Sequence, residues 1–138
     1  MELDRIDELV KEYLLHVMSA LDMTIEDLED DANEDIYDNF KFEASNNYDK
    51  SGGYDFVAWY ISKGYSTCDI LDIGTMTTLY LQINAYFAEN YGEESVMKWN
   101  DFSPANVLRN YVYFYLYGYL SKEELVEVLR GDQELRTP

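Results

Sequence analysis

Ser103-Pro104-Ala105-Asn106-Val107-Leu108-Arg109-Asn110-Tyr111-Val112-Tyr113-Phe114-Tyr115-Leu116-Tyr117-Gly118-Tyr119 decides the fold class, because this stretch alone reads two ways. From Tyr111 to Tyr119, tyrosine alternates with Val, Phe, Leu and Gly, the two-residue period of a β-strand. Its borders argue for a helix. Ser103 is a favoured N-cap, and Pro104 suits the first helical position, where its missing N–H would have no partner in any case. Gly118 and Ser121 frame the far end with turn chemistry, and Val112, Tyr115, Leu116 and Tyr119 fall on one helical stripe. A helix to about Tyr117 is expected, with Gly118 as its terminator, and the chain is then all-α.

The rest of the chain agrees with that reading. Downstream, Ser121 and Glu124 form a capping box that opens a last helix from Lys122 to Arg130, with Gly131 as its stop. Upstream, Glu93 to Trp99 reads as one or two turns. A helix is expected from about Thr75 to Asn90, with Leu79, Ile83, Tyr86 and Phe87 inward and Gly92 at its end. Thr67 caps a short turn through Asp72. Tyr54 to Lys63 reads as a helix closed by Gly64, after turn chemistry from Asn46 to Gly53. The first helix runs from about Leu3 to Asp22, burying Ile6, Leu9, Val10, Tyr13, Val17 and Leu21. Thr24, boxed with Asp27, opens a second that continues to about Asn46 with Ile25, Leu28, Ala32, Ile36 and Phe40 inward. The expectation is a single domain over residues 1–138, a compact bundle of roughly five to six helices.

The second helix carries the most unusual pattern. Glu26, Asp30, Glu34 and Asp38 repeat every fourth residue, and Asp27, Asp31 and Asp35 do so one place along. On a continuous helix both rows lie side by side on one outer face, with no Lys or Arg among them. Like charges four apart repel by about 0.2–0.5 kcal/mol per pair. The field is concentrated: residues 1–40 hold 14 of the 28 acids and two bases, a net of −12 out of −18. Fifteen helical residues span about 22 Å. Duplex DNA presents about 13 charges over that length, against eight acids between Thr24 and Asp38. Glu2, Asp4, Asp7, Glu8 and Glu12 of the first helix could lie alongside. The charge density approaches that of a phosphate backbone, so these seven carboxylates, Glu26, Asp27, Asp30, Asp31, Glu34, Asp35 and Asp38, are the candidate contacts for a basic partner surface.

Composition excludes several classes. A hydrophobic content of 47% and an aromatic content of 16% exclude an acidic disordered chain. A net charge of −18 with scattered bases disfavours direct contact with nucleic acid or anionic membrane and favours a basic nucleic-acid-binding protein as partner. The single cysteine, Cys68, allows no internal disulfide, Met1-Glu2-Leu3-Asp4 is unlike a secretory signal, and the apolar run from Tyr111 to Leu120 is too short to span a bilayer. A cytoplasmic protein is expected, in the host cytoplasm if a phage encodes it.

Catalytic and metal chemistry find little support. His16 and Cys68 are the only residues of their kinds, and no motif joins them. A calcium loop begun at Asp31 would place Asn33 and Asp35 well. It fails at its sixth and twelfth positions, where Ile36 and Phe42 replace Gly and Glu. No phosphate loop or zinc spacing occurs. The expectation is a protein without enzymatic activity, cofactor or metal. The 14 tyrosines are the other unusual feature. Tyr111, Tyr113, Tyr115, Tyr117 and Tyr119 cannot all point inward from one helix, and they form a candidate partner or homodimer contact. An alternative reading follows, a small acidic structural or assembly protein that homodimerises through this segment.

The chain also resembles the phage overcome-classical-restriction (Ocr) family of DNA mimics. The resemblance rests on size, helical reading and acidity. It rests too on acids leading into Asp35-Ile36, then Ala44, then Asp55-Phe56-Val57-Ala58-Trp59-Tyr60-Ile61-Ser62-Lys63-Gly64, roughly a third of the chain. It implies a dimeric inhibitor that occupies the DNA-binding groove of a restriction enzyme. The chain departs from the family in its richness in tyrosine and in lacking a long acidic tail from Gln133 to Pro138. A CRISPR nuclease or another basic defence or regulatory protein fits the same charge.

Overall fold

The computed structural model describes residues 2–30, 32, 34–45, 55–66 and 72–136. Among the described residues seven α-helices follow in order: α1 (Glu2–Ala20), α2 (Ile25–Glu29), α3 (Glu34–Ala44), α4 (Phe56–Ser62), α5 (Ile73–Tyr91), α6 (Pro104–Phe114) and α7 (Lys122–Arg136). Single 3-10 turns at Glu93–Ser95 and Trp99–Asp101 join α5 to α6, and a π-helical turn, Tyr115–Tyr119, extends α6. No strand occurs among the described residues, so the all-α reading holds, including over Tyr111–Tyr119. The extra helix arises because the expected second helix is two. The turn at Asn46–Gly53, Tyr54 and the Thr67 cap lie outside the described residues.

The helix ends follow from local chemistry. Thr24 and Asp27 close their capping box in both directions, with Thr24 N donating to Asp27 Oδ2 at 2.8 Å and Asp27 N donating to Thr24 Oγ1 at 3.2 Å. Ser121 and Glu124 do the same for α7, at 3.0 and 3.2 Å. Ser103 caps α6 through Asn106 N, with Pro104 behind it. Gly64 and Gly92 take φ of +92° and +95°, the left-handed backbone that favours glycine, and end α4 and α5. Gly131 does not stop α7, contrary to expectation. The helix continues through it to Arg136, because glycine lowers helix propensity by only about 1 kcal/mol and terminates nothing without a left-handed turn.

α1 lies at the centre, packed against α3, α4 and α7. α4 bridges it to α6, which packs on α5, and α2 packs on α3 and α7. The inner face of α1 is wider than the expected stripe. Ile6, Leu9, Val10, Tyr13 and Val17 are buried as read, Leu14 and Met18 join them, and Leu21 is half-buried. In α5, Leu79, Ile83 and Phe87 are buried as read, Met76 joins them, and Tyr86 lies only half in. Tyr13 ties three helices together: its ring meets Phe56 at 5.4 Å and its hydroxyl donates to the Ala44 carbonyl at 2.6 Å. Asp55 caps α4 by accepting from Ala58 N, and Arg109 of α6 grips the same carboxylate with two hydrogen bonds, of 2.9 and 3.1 Å.

Gly118 does not terminate a helix either. It sits within the π-helical turn, where a Cβ would fall 2.5 Å from the Tyr86 ring. That ring is held by Phe114 at 5.4 Å and by a hydrogen bond from its hydroxyl to the Tyr117 carbonyl at 3.2 Å. Gly118→Ala must therefore displace a pinned aromatic ring. A loss of about 1–3 kcal/mol is expected, read as a lower urea midpoint at unchanged m-value.

Candidate functional site

The carboxylate rows do not share one helix. After Glu29 the backbone leaves helical geometry at Asp30, with φ −70° and ψ 98°, and re-enters it at Glu34. The Asp30 carboxylate holds the break by accepting from Ala32 N at 3.0 Å, a local bond that competes with the helix ladder. The break removes most of the four-residue repulsions: among the described residues, Glu34 and Asp38 keep that spacing inside one helix. It also re-phases the apolar stripe. Ala32 is exposed and Ile36 only half-buried, while Tyr37, Phe40 and Ala44 face the core.

The candidate residues therefore separate by role. Glu26, Glu34 and Asp35 are exposed in the first turns of α2 and α3, where the helix dipole favours them. Asp27 is half-buried in its capping box, and Asp30 is exposed but holds the break. Asp38 is exposed and lies 3.9 Å from Lys41 Nζ. Asp31 lies outside the described residues. Of the first-helix acids, Glu8 is exposed and Glu12 half-buried. Asp7 turns inward, accepting from the Tyr111 hydroxyl at 2.6 Å.

The fold adds acids that the sequence reading missed. Where α2 meets α7, an open groove is lined by Glu29, Glu123 and Glu127, with Lys122, Val126 and Arg130. Glu123 also reaches the neighbourhood of Tyr37, where it and Asp38 both act on the phenol. The i, i+4 spacing of Glu123 and Glu127 was visible in the sequence; their nearness to α2 was not.

Five of the described bases engage rings or carboxylates. Lys41 Nζ sits 4.6 Å from the centroids of both Tyr37 and Tyr117, Lys122 Nζ 5.5 Å from Tyr37, and Lys63 Nζ 5.0 Å from Trp59. Arg109 pairs with Asp55, and Arg130 with Glu29. Lys41, Lys63, Arg109, Lys122 and Arg130 thus have partners within the same molecule.

The tyrosine segment faces mostly inward. Tyr111 and Tyr115 are buried, Tyr113 and Tyr117 half-buried, and Tyr119 is 48% exposed. Tyr113 and Tyr117 stack at 4.4 Å, and the Tyr91 hydroxyl lies 2.9 Å from that of Tyr113. Burial pushes the phenol of Tyr37 up to about 12, with Glu123 and Asp38 adding to it, and burial pushes Tyr86 up to about 12. Burial likewise drives Tyr111, Tyr113 and Tyr115 upward. What the segment offers a partner is chiefly Tyr119.

His16 is exposed with its ring 6.5 Å from that of Trp59, and Cys68 lies outside the described residues. Among the described residues no group of three His, Cys, Asp or Glu side chains is placed to hold a metal ion, and no helix is long and apolar enough to cross a membrane. Fold and surface together define an all-α protein with a carboxylate-rich outer face. Compared with known proteins, the chain matches no family model, no curated protein and no solved structure.

Proposed function

We propose that this protein is a non-enzymatic inhibitor whose carboxylate face occupies the basic nucleic-acid-binding surface of a host defence protein, a restriction enzyme or CRISPR nuclease, in place of DNA. The observation that carries the reading is the asymmetry of charge engagement. Glu26, Glu34 and Asp35 are exposed, while Lys41, Lys122 and Arg130 are engaged with rings or carboxylates of the chain itself. The acidic field is therefore left to act outward, where it steers a basic surface into contact and sets the on-rate.

Glu26, Glu34 and Asp35 make a clean test, because Asp27 and Asp30 hold backbone N–H groups and Asp38 lies beside Lys41. DNA cleavage by a panel of restriction enzymes and CRISPR nucleases is measured with the native chain and with the Glu26→Lys, Glu34→Lys, Asp35→Lys triple variant. The native chain should inhibit at least one enzyme, less strongly as salt rises, and the triple variant should lose at least about tenfold in potency at unchanged helicity. A panel without a responding enzyme overturns the reading, and so does a triple variant as potent as the native chain.

A further inference from the structure

The outer face of α3 carries a ring among its acids. Phe42 is 58% exposed, in the last turn of a helix whose inner face, Tyr37, Phe40 and Ala44, is buried. At 3.6 residues per turn, Phe42 lies within about 40° of Asp35 and Asp38 around the axis, opposite the buried face. Along the axis Asp38 stands about 6 Å before it and Asp35 about 10 Å. Asp35, Asp38 and Asn39 are all exposed, and Asp38 keeps 69% of its side chain in the open beside Lys41. A single exposed apolar side chain is ordinary on any protein, but this one occupies the middle of the stripe that the carboxylates define.

The turn that presents Phe42 is held in place. The Tyr13 hydroxyl donates to the Ala44 carbonyl at 2.6 Å, and Ser45 Oγ donates to the Lys41 carbonyl at 2.6 Å. Lys41, the neighbour of Phe42 in sequence, is drawn to the rings of Tyr37 and Tyr117. Binding must therefore fix little more than the side-chain torsions of Phe42. Its surroundings choose the occupant. A second copy of this face would set Asp35 and Asp38 against their own kind, whereas a basic surface with an apolar platform meets both charge and ring. An intact duplex turns its phosphates outward and keeps its bases stacked inside, so imitation of its backbone has no use for a ring. An unpaired strand shows both, a planar ring beside phosphates. Surfaces that hold such strands combine Lys and Arg with aromatic side chains on which bases stack.

We infer, resting on the inhibitor function proposed above, that Phe42 imitates an unpaired base within the carboxylate face. The partner surface is then one that stacks single-stranded nucleic acid, an aromatic side chain flanked by Lys or Arg. Phe42 stacks on the aromatic side chain, and Asp35 and Asp38 take the places of neighbouring phosphates. Of the two enzyme classes considered above, a CRISPR nuclease, which stabilises a displaced single strand, fits this surface better than an enzyme that grips intact duplex.

The test takes any enzyme of the panel that the native chain inhibits and measures displacement from it of a fluorescent oligodeoxythymidine. The native chain should displace the oligonucleotide. Phe42→Ala and Phe42→Leu should each require about tenfold more protein, and Phe42→Trp no more than native. Phe42 is more than half exposed, so these variants keep the fold. Their loss should be equal at about 0.05 and about 0.2 M salt, because removing a ring removes no charge; the Glu26→Lys, Glu34→Lys, Asp35→Lys variant should instead flatten the salt dependence. If the native chain inhibits and Phe42→Ala is as potent, the inference is overturned while the inhibitor function stands. Native potency in Phe42→Leu assigns the ring to an aliphatic pocket, and displacement of a duplex but not of the oligonucleotide assigns the face to a duplex groove; each overturns it. So does a dimer in sedimentation that Phe42→Ala dissociates. A panel without a responding enzyme overturns the inhibitor function, and this inference with it.

Discussion

Arg109→Ala is expected to destabilise the protein by about 3–5 kcal/mol, a large fraction of the roughly 5–15 kcal/mol that holds a domain of this size. Asp55 is 3% exposed and its carboxylate accepts from Arg109 Nε at 2.9 Å, from the second guanidinium nitrogen at 3.1 Å, and from Ala58 N at 3.1 Å. Removing the guanidinium leaves a carboxylate in the core with one neutral donor. The asymmetry of the pair supplies the check. The Arg109 side chain is 17% exposed and that of Asp55 is not exposed at all, so Arg109 can recover some hydration when its partner is lost. Asp55→Asn, which keeps an acceptor for Ala58 N, should therefore cost less than Arg109→Ala. Arg109→Lys should fall between native and alanine, because it retains the charge but not the paired geometry. Urea unfolding of the three variants orders them. Equal costs for Arg109→Ala and Asp55→Asn would show that desolvation of Asp55 does not dominate.

The second large effect is alkaline unfolding. The phenols of Tyr37 and Tyr86 rise from 10.0 to about 12, and those of Tyr111, Tyr113, Tyr115 and Tyr117 rise as well, in each case chiefly through burial. At Tyr117 a hydrogen bond with Ser45 opposes part of the rise. Below about pH 10 a phenol is neutral in the folded and unfolded chains, and stability does not depend on it. Above that pH the unfolded chain releases protons that the folded chain retains, so stability falls as pH rises. Each tyrosine held neutral contributes up to about 1.4 kcal/mol per pH unit to the loss, less where its ring edge meets water. Phenolate charge then adds to a molecule already at −18. Helical circular dichroism should persist to about pH 10 and collapse within roughly one to two units above it, with a step of phenolate absorbance accompanying the collapse. Complete phenolate titration with the helices intact would show that the tyrosine cluster is solvated.

The same local chemistry that made the fold legible hid the shape of the acidic face. Thr24 with Asp27, Ser103 with Pro104, and Ser121 with Glu124 mark helix starts because each satisfies N–H groups within three residues. The caps at Ser103 and Ser121 also frame Tyr111–Tyr119 as helix against its strand-like alternation, and the segment ends in a π-helical turn, Tyr115–Tyr119. The break at Asp30 was not readable, although its agent was. A carboxylate that caps a helix start and one that interrupts a helix have the same sequence, and periodicity continues through both.

The sequence by itself determined an all-α chain, the capped starts of α2, α6 and α7, most of the inner face of α1, and an acid excess centred on residues 1–40. These depend on neighbours within a turn or two, where hydrogen-bond satisfaction and side-chain spacing act. Tertiary structure alone decided which charges remain available. It placed Arg109 against Asp55, 54 residues away, turned Asp7 toward Tyr111, set Lys41 and Lys122 over aromatic rings, brought Glu123 and Glu127 beside α2, and left Trp99 in the open. Burial makes an unpaired charge costly, so the fold chooses partners across the chain for the charges it encloses, and that choice is not written in any local stretch.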